Sequence, residues 1–215
     1  MFSLLPARST DYAQGEWWDG MLTSTLAFYH LTKENITIAH QDPALARQGF
    51  VEQTGEARSQ GIEFDIHGQL SEAWSLIGSY AYTDTEITED QGLDELGNLT
   101  EGDKGNLLRN VPEHAGSLWV NHHFTEFGWP GLSAGFGVFL ASDREGDLTN
   151  SFQLPDYARL DAALKYSQKV GPSKLTLQFN VQNLLDKDYL VAARNRTSVT
   201  PAEPLTFLGS IRLEF

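Results

Sequence analysis

The chain has 215 residues, of which 40% are hydrophobic, and a formal net charge of −14. That acidity argues against a nucleic-acid partner, which needs a basic face. The absence of cysteine excludes disulfides and thiolate metal sites, and no apolar run approaches the ~18 residues of a membrane helix.

Any membrane contact must therefore be made by strands, and nineteen glycines with twelve Phe, seven Tyr and five Trp fit a sheet-rich chain. The start, Met1 to Arg8, places its apolar residues before its first cation, the reverse of a secretory signal. A first strand is expected from about Arg8 to Trp17, closed by a tight turn at Trp18-Asp19-Gly20. A second runs from about Met21 to Lys33, followed by a long connection over 35–55. The third alternates cleanly: Ile62, Phe64, Ile66, Gly68 and Leu70 against Glu63, Asp65, His67 and Gln69. The fourth runs from Trp74 to about Thr85, and a long acidic connection leads to a fifth from about Arg109 to Phe124. After a turn at Gly128-Trp129-Pro130-Gly131 comes a sixth, Leu132 to about Ala141, with Gly135 and Gly137 on one face. The seventh, Tyr157 to Tyr166, and the eighth, around Leu175 to Val181, are joined by Val170-Gly171-Pro172. The last strand ends the chain with Phe207, Gly209, Ile211, Leu213 and Phe215 on one side and Leu208, Ser210, Arg212 and Glu214 on the other.

The connections alternate short and long, which describes an up-and-down antiparallel sheet with turns at one end and loops at the other. Transmembrane barrels sort their connections this way, whereas soluble sandwiches use Greek keys. Trp17, Trp18, Trp74, Trp129 and Tyr166 gather at the turn end, where an interfacial girdle would lie. The fold class read from this pattern is all-β: a transmembrane β-barrel segment of about nine strands. Nine is odd, and a complete bacterial barrel is even with both termini on the turn side. The whole chain, 1–215, is therefore expected to be an incomplete, C-terminal portion of a barrel, with further strands before Met1.

Several segments resemble one family. These are Tyr29-His30-Leu31-Thr32-Lys33-Glu34-Asn35-Ile36, Arg58-Ser59-Gln60-Gly61-Ile62-Glu63-Phe64-Asp65 and Gly78-Ser79-Tyr80-Ala81-Tyr82-Thr83-Asp84, then Asn110-Val111-Pro112-Glu113-His114, Leu154-Pro155-Asp156-Tyr157-Ala158-Arg159-Leu160-Asp161-Ala162, and Asn180-Val181-Gln182-Asn183-Leu184-Leu185-Asp186-Lys187-Asp188-Tyr189 ahead of the terminal Phe. In this order they resemble the C-terminal part of the TonB-dependent siderophore receptors of the Gram-negative outer membrane. The resemblance implies a 22-stranded barrel closed by an N-terminal plug that this chain lacks. It also implies a transported ferric siderophore with no cofactor, energy supplied through TonB, a lipid-facing wall, and a last strand (Ile211, Leu213, Phe215) read by the barrel-assembly machinery. Pro201-Ala202-Glu203-Pro204-Leu205 stands where the family often has an Arg-containing segment, so that Arg has no counterpart here.

No nucleophile motif, P-loop or dinucleotide fingerprint occurs, so no catalytic residue and no enzyme activity are expected. Glu63, Asp65 and His67 share a strand face and read as a polar lumen row rather than a metal site. His122 and His123 are adjacent, point to opposite faces and cannot chelate together. The acidic run between Asp84 and Asp103 lacks the spacing of a calcium loop. An oxygen-rich anionic cargo suits arginine forks between aromatic walls. On that argument Arg109, Phe152, Tyr189, Arg194 and Arg196 are the ligand-binding candidates. The rival readings are a soluble β-sheet binding protein and an outer-membrane barrel enzyme.

Overall fold

The computed structural model describes residues 7–40 and 42–215. Nine antiparallel strands form one sheet in which each pairs with the next along the chain. They are β1 (Ala7–Trp17), β2 (Leu22–Ala39), β3 (Val51–Gln69), β4 (Trp74–Glu89), β5 (His114–His123), β6 (Leu132–Ala141), β7 (Tyr157–Val170), β8 (Ser173–Gln182) and β9 (Thr206–Glu214). Among the described residues β1 pairs only with β2, and β9 only with β8, so both are open edges.

The turn end follows local chemistry. Asp19 and Gly20 both have positive φ, and Met21 N–H donates to Trp18 O at 3.1 Å, which matches the twist of a two-residue hairpin. The fifth strand stops at His123, earlier than expected, because Phe124–Phe127 form a 3-10 turn closed by left-handed Gly128.

Four further expected boundaries differ for physical reasons. β2 continues to Ala39, because Asn35 in left-handed conformation (φ 58°) makes a bulge rather than an end, and pairing resumes at Ile36. The connection expected over 35–55 shortens to 40–50, with a one-turn helix α1 (Pro43–Ala46) capped by Asp42, whose Oδ1 accepts from Ala44 N–H at 2.8 Å. β4 runs on to Glu89 through the acidic stretch, paired with β3 by an Arg58–Glu86 bridge of 2.8 Å. β5 begins at His114 rather than near Arg109, since Asn110 is left-handed (φ 63°) and Pro112 has no N–H for a ladder.

Register assigns the faces. One row across the sheet reads Leu26, Phe64, Tyr80, Gly116, Leu140, Ala158; another reads Leu22, Gly68, Leu76, Val120, Phe136, Ala162, Val181, Phe207. The opposite face carries Thr25, Asp65, Ser79, Ser117, Phe139 and Arg159 in one row and His123, Ser133, Lys165, Gln178 and Ser210 in another. Among the described residues no second layer covers the apolar face: Phe179 is 47% exposed and Ile211 78%. The chain exposes 14243 Å², against roughly 9,900 Å² for a globular protein of this mass. A soluble two-sheet domain is thereby ruled out, and lipid is the solvent that makes such a face stable.

Aromatic rims bound the apolar band. Trp74 packs on His122 at 4.4 Å at the turn end, and Tyr80 hydrogen-bonds His114 at 2.8 Å toward the loop end. From Trp74 to Tyr82 the strand rises ~26 Å at ~3.3 Å per residue, or ~20 Å of membrane thickness at a barrel tilt near 40°. Beyond Tyr82 the same face turns polar, with Gln60 donating to Asp84 at 2.8 Å.

Candidate ligand-binding loops at the loop end

The loops are built rather than loose. They hold three short ladders: Gly92–Leu93 with Leu99–Thr100, Arg144–Glu145 with Gln153–Leu154, and Leu190–Asn195 with Ser198–Pro201. Long-range hydrogen bonds then join the connections over 90–113, 142–156 and 183–205. The Asn110 side chain pairs with the backbone of Ala193 in both directions, donating at 2.8 Å and accepting at 2.7 Å, while its N–H donates to Glu145 O at 2.8 Å. One residue thus ties three loops. Asn106 donates to Leu148 O at 2.9 Å, and Asn150 exchanges two bonds with Leu107, at 2.8 and 3.0 Å.

Below them, Asn183 roots the last loop. It is 2% exposed and left-handed, its N–H donates to Asp161 Oδ1 at 2.9 Å, and its side chain bonds Lys187 twice and Glu203 O once. Asp186 Oδ1 accepts from Leu205 N–H at 2.8 Å. The Asn-Leu-Leu-Asp-Lys segment therefore aims the chain into β9.

The arginines of the loops mostly act as pins. Arg144, 5% exposed, donates to the carbonyls of Pro155, Leu190 and Val191 and lies over the Tyr157 ring. Arg47 donates to Gly97 O at 2.6 Å. Of the predicted candidates, Arg109 donates to Arg194 O at 3.4 Å, and Arg196 lies over Phe152 and donates to Ser151 O. Tyr189 stacks on Tyr157 at 4.2 Å. All five candidates thus sit in the interlocked loops. Of the three candidate arginines, only Arg194 has a guanidinium without a partner among the described residues. Asn110, Asn183 and Arg144 were not among the candidates. The two asparagines stand in the segments that carry the resemblance, whereas nothing in the pattern around Arg144 marks it.

Carboxylates are dense here. Burial, then the neighbouring charges of Asp90 and Asp147, push the Asp103 carboxyl above the usual range. Hydrogen bonds from Asn98 hold Asp94 below it, and those from Ser151 hold Asp147 below it. A cleft of about 250 Å³ opens between β4 and two of the loops, lined by Thr83, Asp84, Thr85, Leu107, Val111, Glu113, Asp143, Arg144, Glu145 and Gln153.

On the polar face of the sheet, Trp119 lies flat across Gly135 and Gly137, and a Cβ on Gly137 would collide with its ring. Its indole N–H donates to Asn121 at 3.1 Å beside a concavity of about 380 Å³. Glu63, Asp65 and His67 line this face as expected, and His123 does too, while His122 points away among Trp74, Phe124 and Phe127. Among the described residues no group of three His, Asp or Glu could hold a metal ion.

The family model described as TonB dependent receptor-like, beta-barrel, matches residues 7–184. The metal-pseudopaline receptor CntO of Pseudomonas aeruginosa is 39% identical over 199 residues, 92% of this chain and 26% of that protein. The ferrichrome outer membrane transporter/phage receptor of Escherichia coli K12 is 31% identical over 88% of this chain and 24% of its own length. The crystal structure of the siderophore receptor PiuA from Acinetobacter baumannii superposes with a TM-score of 0.76 at 25% identity, over 96% of this chain and 28% of that one. The chain spans about a quarter of the length of each of these three proteins.

Proposed function

The chain belongs to the TonB-dependent receptor β-barrel family, and from that premise we propose that it forms the C-terminal wall of a larger barrel that imports a ferric siderophore or related metal chelate. Barrels of this family are proteins of the Gram-negative outer membrane, and the family consists of receptors and transporters rather than enzymes. The observation that carries the proposal is the sorting of this sheet: one apolar face bounded by aromatic rims, one polar face, and interlocked loops at a single end.

In this reading lipid covers the Phe64–Leu140 row and cargo enters from the loop end. Energy comes through TonB, acting on a plug encoded outside these residues. Leu213 and Ile211, which lie outward on the edge strand β9, and Phe215, one residue beyond its end, serve as the signal to the barrel-assembly machinery. Arg109, Phe152, Tyr189, Arg194 and Arg196 form the ligand-facing surface. Arg194 has the free fork for a chelate oxygen, and Arg109 donates to its carbonyl. Uptake of ⁵⁵Fe-loaded siderophores by cells with and without the gene tests this directly. The proposal expects gene-dependent uptake of at least one chelate, abolished by deleting tonB, and uptake unchanged by both deletions would end it. Arg194→Ala should lower uptake about tenfold without changing the amount of receptor in the membrane.

A further inference from the structure

The polar face of the sheet is divided by charge. Between the Glu63 row and the turns, β1 to β4 carry Glu16, Glu63 and Asp65 on this face and no Lys or Arg. The turn end of β7 to β9 carries Lys165, Lys169, Lys174 and Arg212 instead. Lys169 and Lys174 stand directly opposite each other, an arrangement that like-charge repulsion disfavours. Glu214, across from Lys174, is taken by Arg212 at 3.3 Å. None of the three lysines is in an ion pair among the described residues. Lys165 also lines the concavity of about 380 Å³ beside Trp119. That indole lies flat because Gly135 and Gly137 carry no Cβ beneath it. Asn121, Gln178 and Asn180 add amide groups, while the side chains of Lys165 and His123 make no hydrogen bond among the described residues. A flat aromatic wall, amides and a free ammonium thus converge on one space, next to a group of unpaired cations.

We infer that this wall holds a transit site for an oxygen-rich anion, the chelate on its way to the turn end. The concavity receives it against Trp119, with Lys165 as the principal donor, and Lys169, Lys174 and Arg212 draw it onward. Such an anion relieves the repulsion between Lys169 and Lys174 and gives the lysines the acceptors they lack. A cationic occupant would meet the wrong sign of charge here. The inference rests on the transport reading and deepens it: the cargo is anionic, and it leaves along β5 to β9 rather than past the acids of β1 to β3.

The test uses the full-length receptor, purified from outer membranes in detergent, with Ser133→Cys as its sole cysteine. Ser133 pairs with Lys165 and lines the concavity. The probes are two methanethiosulfonates of opposite charge, sulfonatoethyl and trimethylammonioethyl, with rates taken relative to free mercaptoethanol. The anionic reagent should label about tenfold faster than the cationic one, and excess citrate, an oxygen-rich trianion, should slow it. Lys165→Gln, Lys169→Gln and Lys174→Gln combined should erase both the preference and the protection. Lys104→Gln, which removes a lysine charge from the loops, should change neither. Heat-modifiable migration on gels confirms folding, and Lys165→Gln alone carries the test if the triple variant does not fold. Equal rates, or a preference that survives loss of the lysines, would overturn the inference. So would failure of both reagents to react, which would show the wall covered by an acidic face of the same receptor. In the ⁵⁵Fe assay the triple variant should slow uptake and leave binding to chilled cells unchanged, and loss of both would overturn the transit role. The labelling readouts do not involve iron uptake, so failure of the transport reading and failure of this site are separately visible.

Discussion

Asn183 shows how one side chain can set a whole loop. Only a short polar side chain both tolerates left-handed backbone and reaches back to its own segment. Its amide spans Lys187 and Glu203, and Asp161, itself nearly buried, accepts its N–H. Asn183→Ala would leave these buried groups unpaired, at about 1–3 kcal/mol. The expected outcome is a lower unfolding midpoint in detergent and faster proteolytic nicking between Leu184 and Pro204, and an unchanged midpoint would show that the loop roots elsewhere. Asp103 acts in the opposite sense. Its carboxyl is pushed up, so any stability linked to it is present at low pH and lost as pH rises through its folded-state value. Asp94 and Asp147 have lowered values, so what they contribute is present above the usual aspartate range and fades as pH falls through it.

At the scale of the strand, β8 places the two environments side by side. Phe179 lies between Leu164 and Gly209 on the apolar face and stacks on Phe207 at 5.9 Å. Gln178 lies between Lys165 and Ser210 on the polar face and donates to Asn180. An arginine at mid-membrane on the lipid side costs about 2–4 kcal/mol, and one in the lumen costs little. Phe179→Arg should therefore lower folding stability in lipid vesicles by that amount while Gln178→Arg leaves it nearly unchanged, and equal effects would reject the lipid-facing assignment. The long strands β2 to β4 follow the same logic above the membrane. Once past Tyr82 they need no apolar face, and Arg58, Gln60, Asp84 and Glu86 pair across them instead.

For the molecule as a whole, the controlling fact is that the sheet is a single layer with two open edges. β1 and β9 both run from the loop end to the turn end, so they cannot close on each other as antiparallel neighbours. Unpaired edges are not tolerated in hydrocarbon. Residues 1–215 produced alone in detergent are therefore expected to elute as aggregates in size-exclusion chromatography. A sharp monomer peak with heat-modifiable migration would argue that the nine strands suffice.

Local pattern was enough to place the nine strands, the alternation of their faces and the sorting of turns from loops, because side-chain period and hairpin chemistry act over a few residues. It misjudged the end of β2, where a left-handed Asn35 reads as a turn but is a bulge, and the start of β5, where Asn110 belongs to the loops. The chemistry of an oxygen-rich cargo singled out the loop arginines, and two of the three, Arg109 and Arg196, donate to backbone carbonyls. Only the tertiary structure could decide that, since Arg144 reaches Val191 and Asn110 reaches Ala193 across chain separations that carry no local signal.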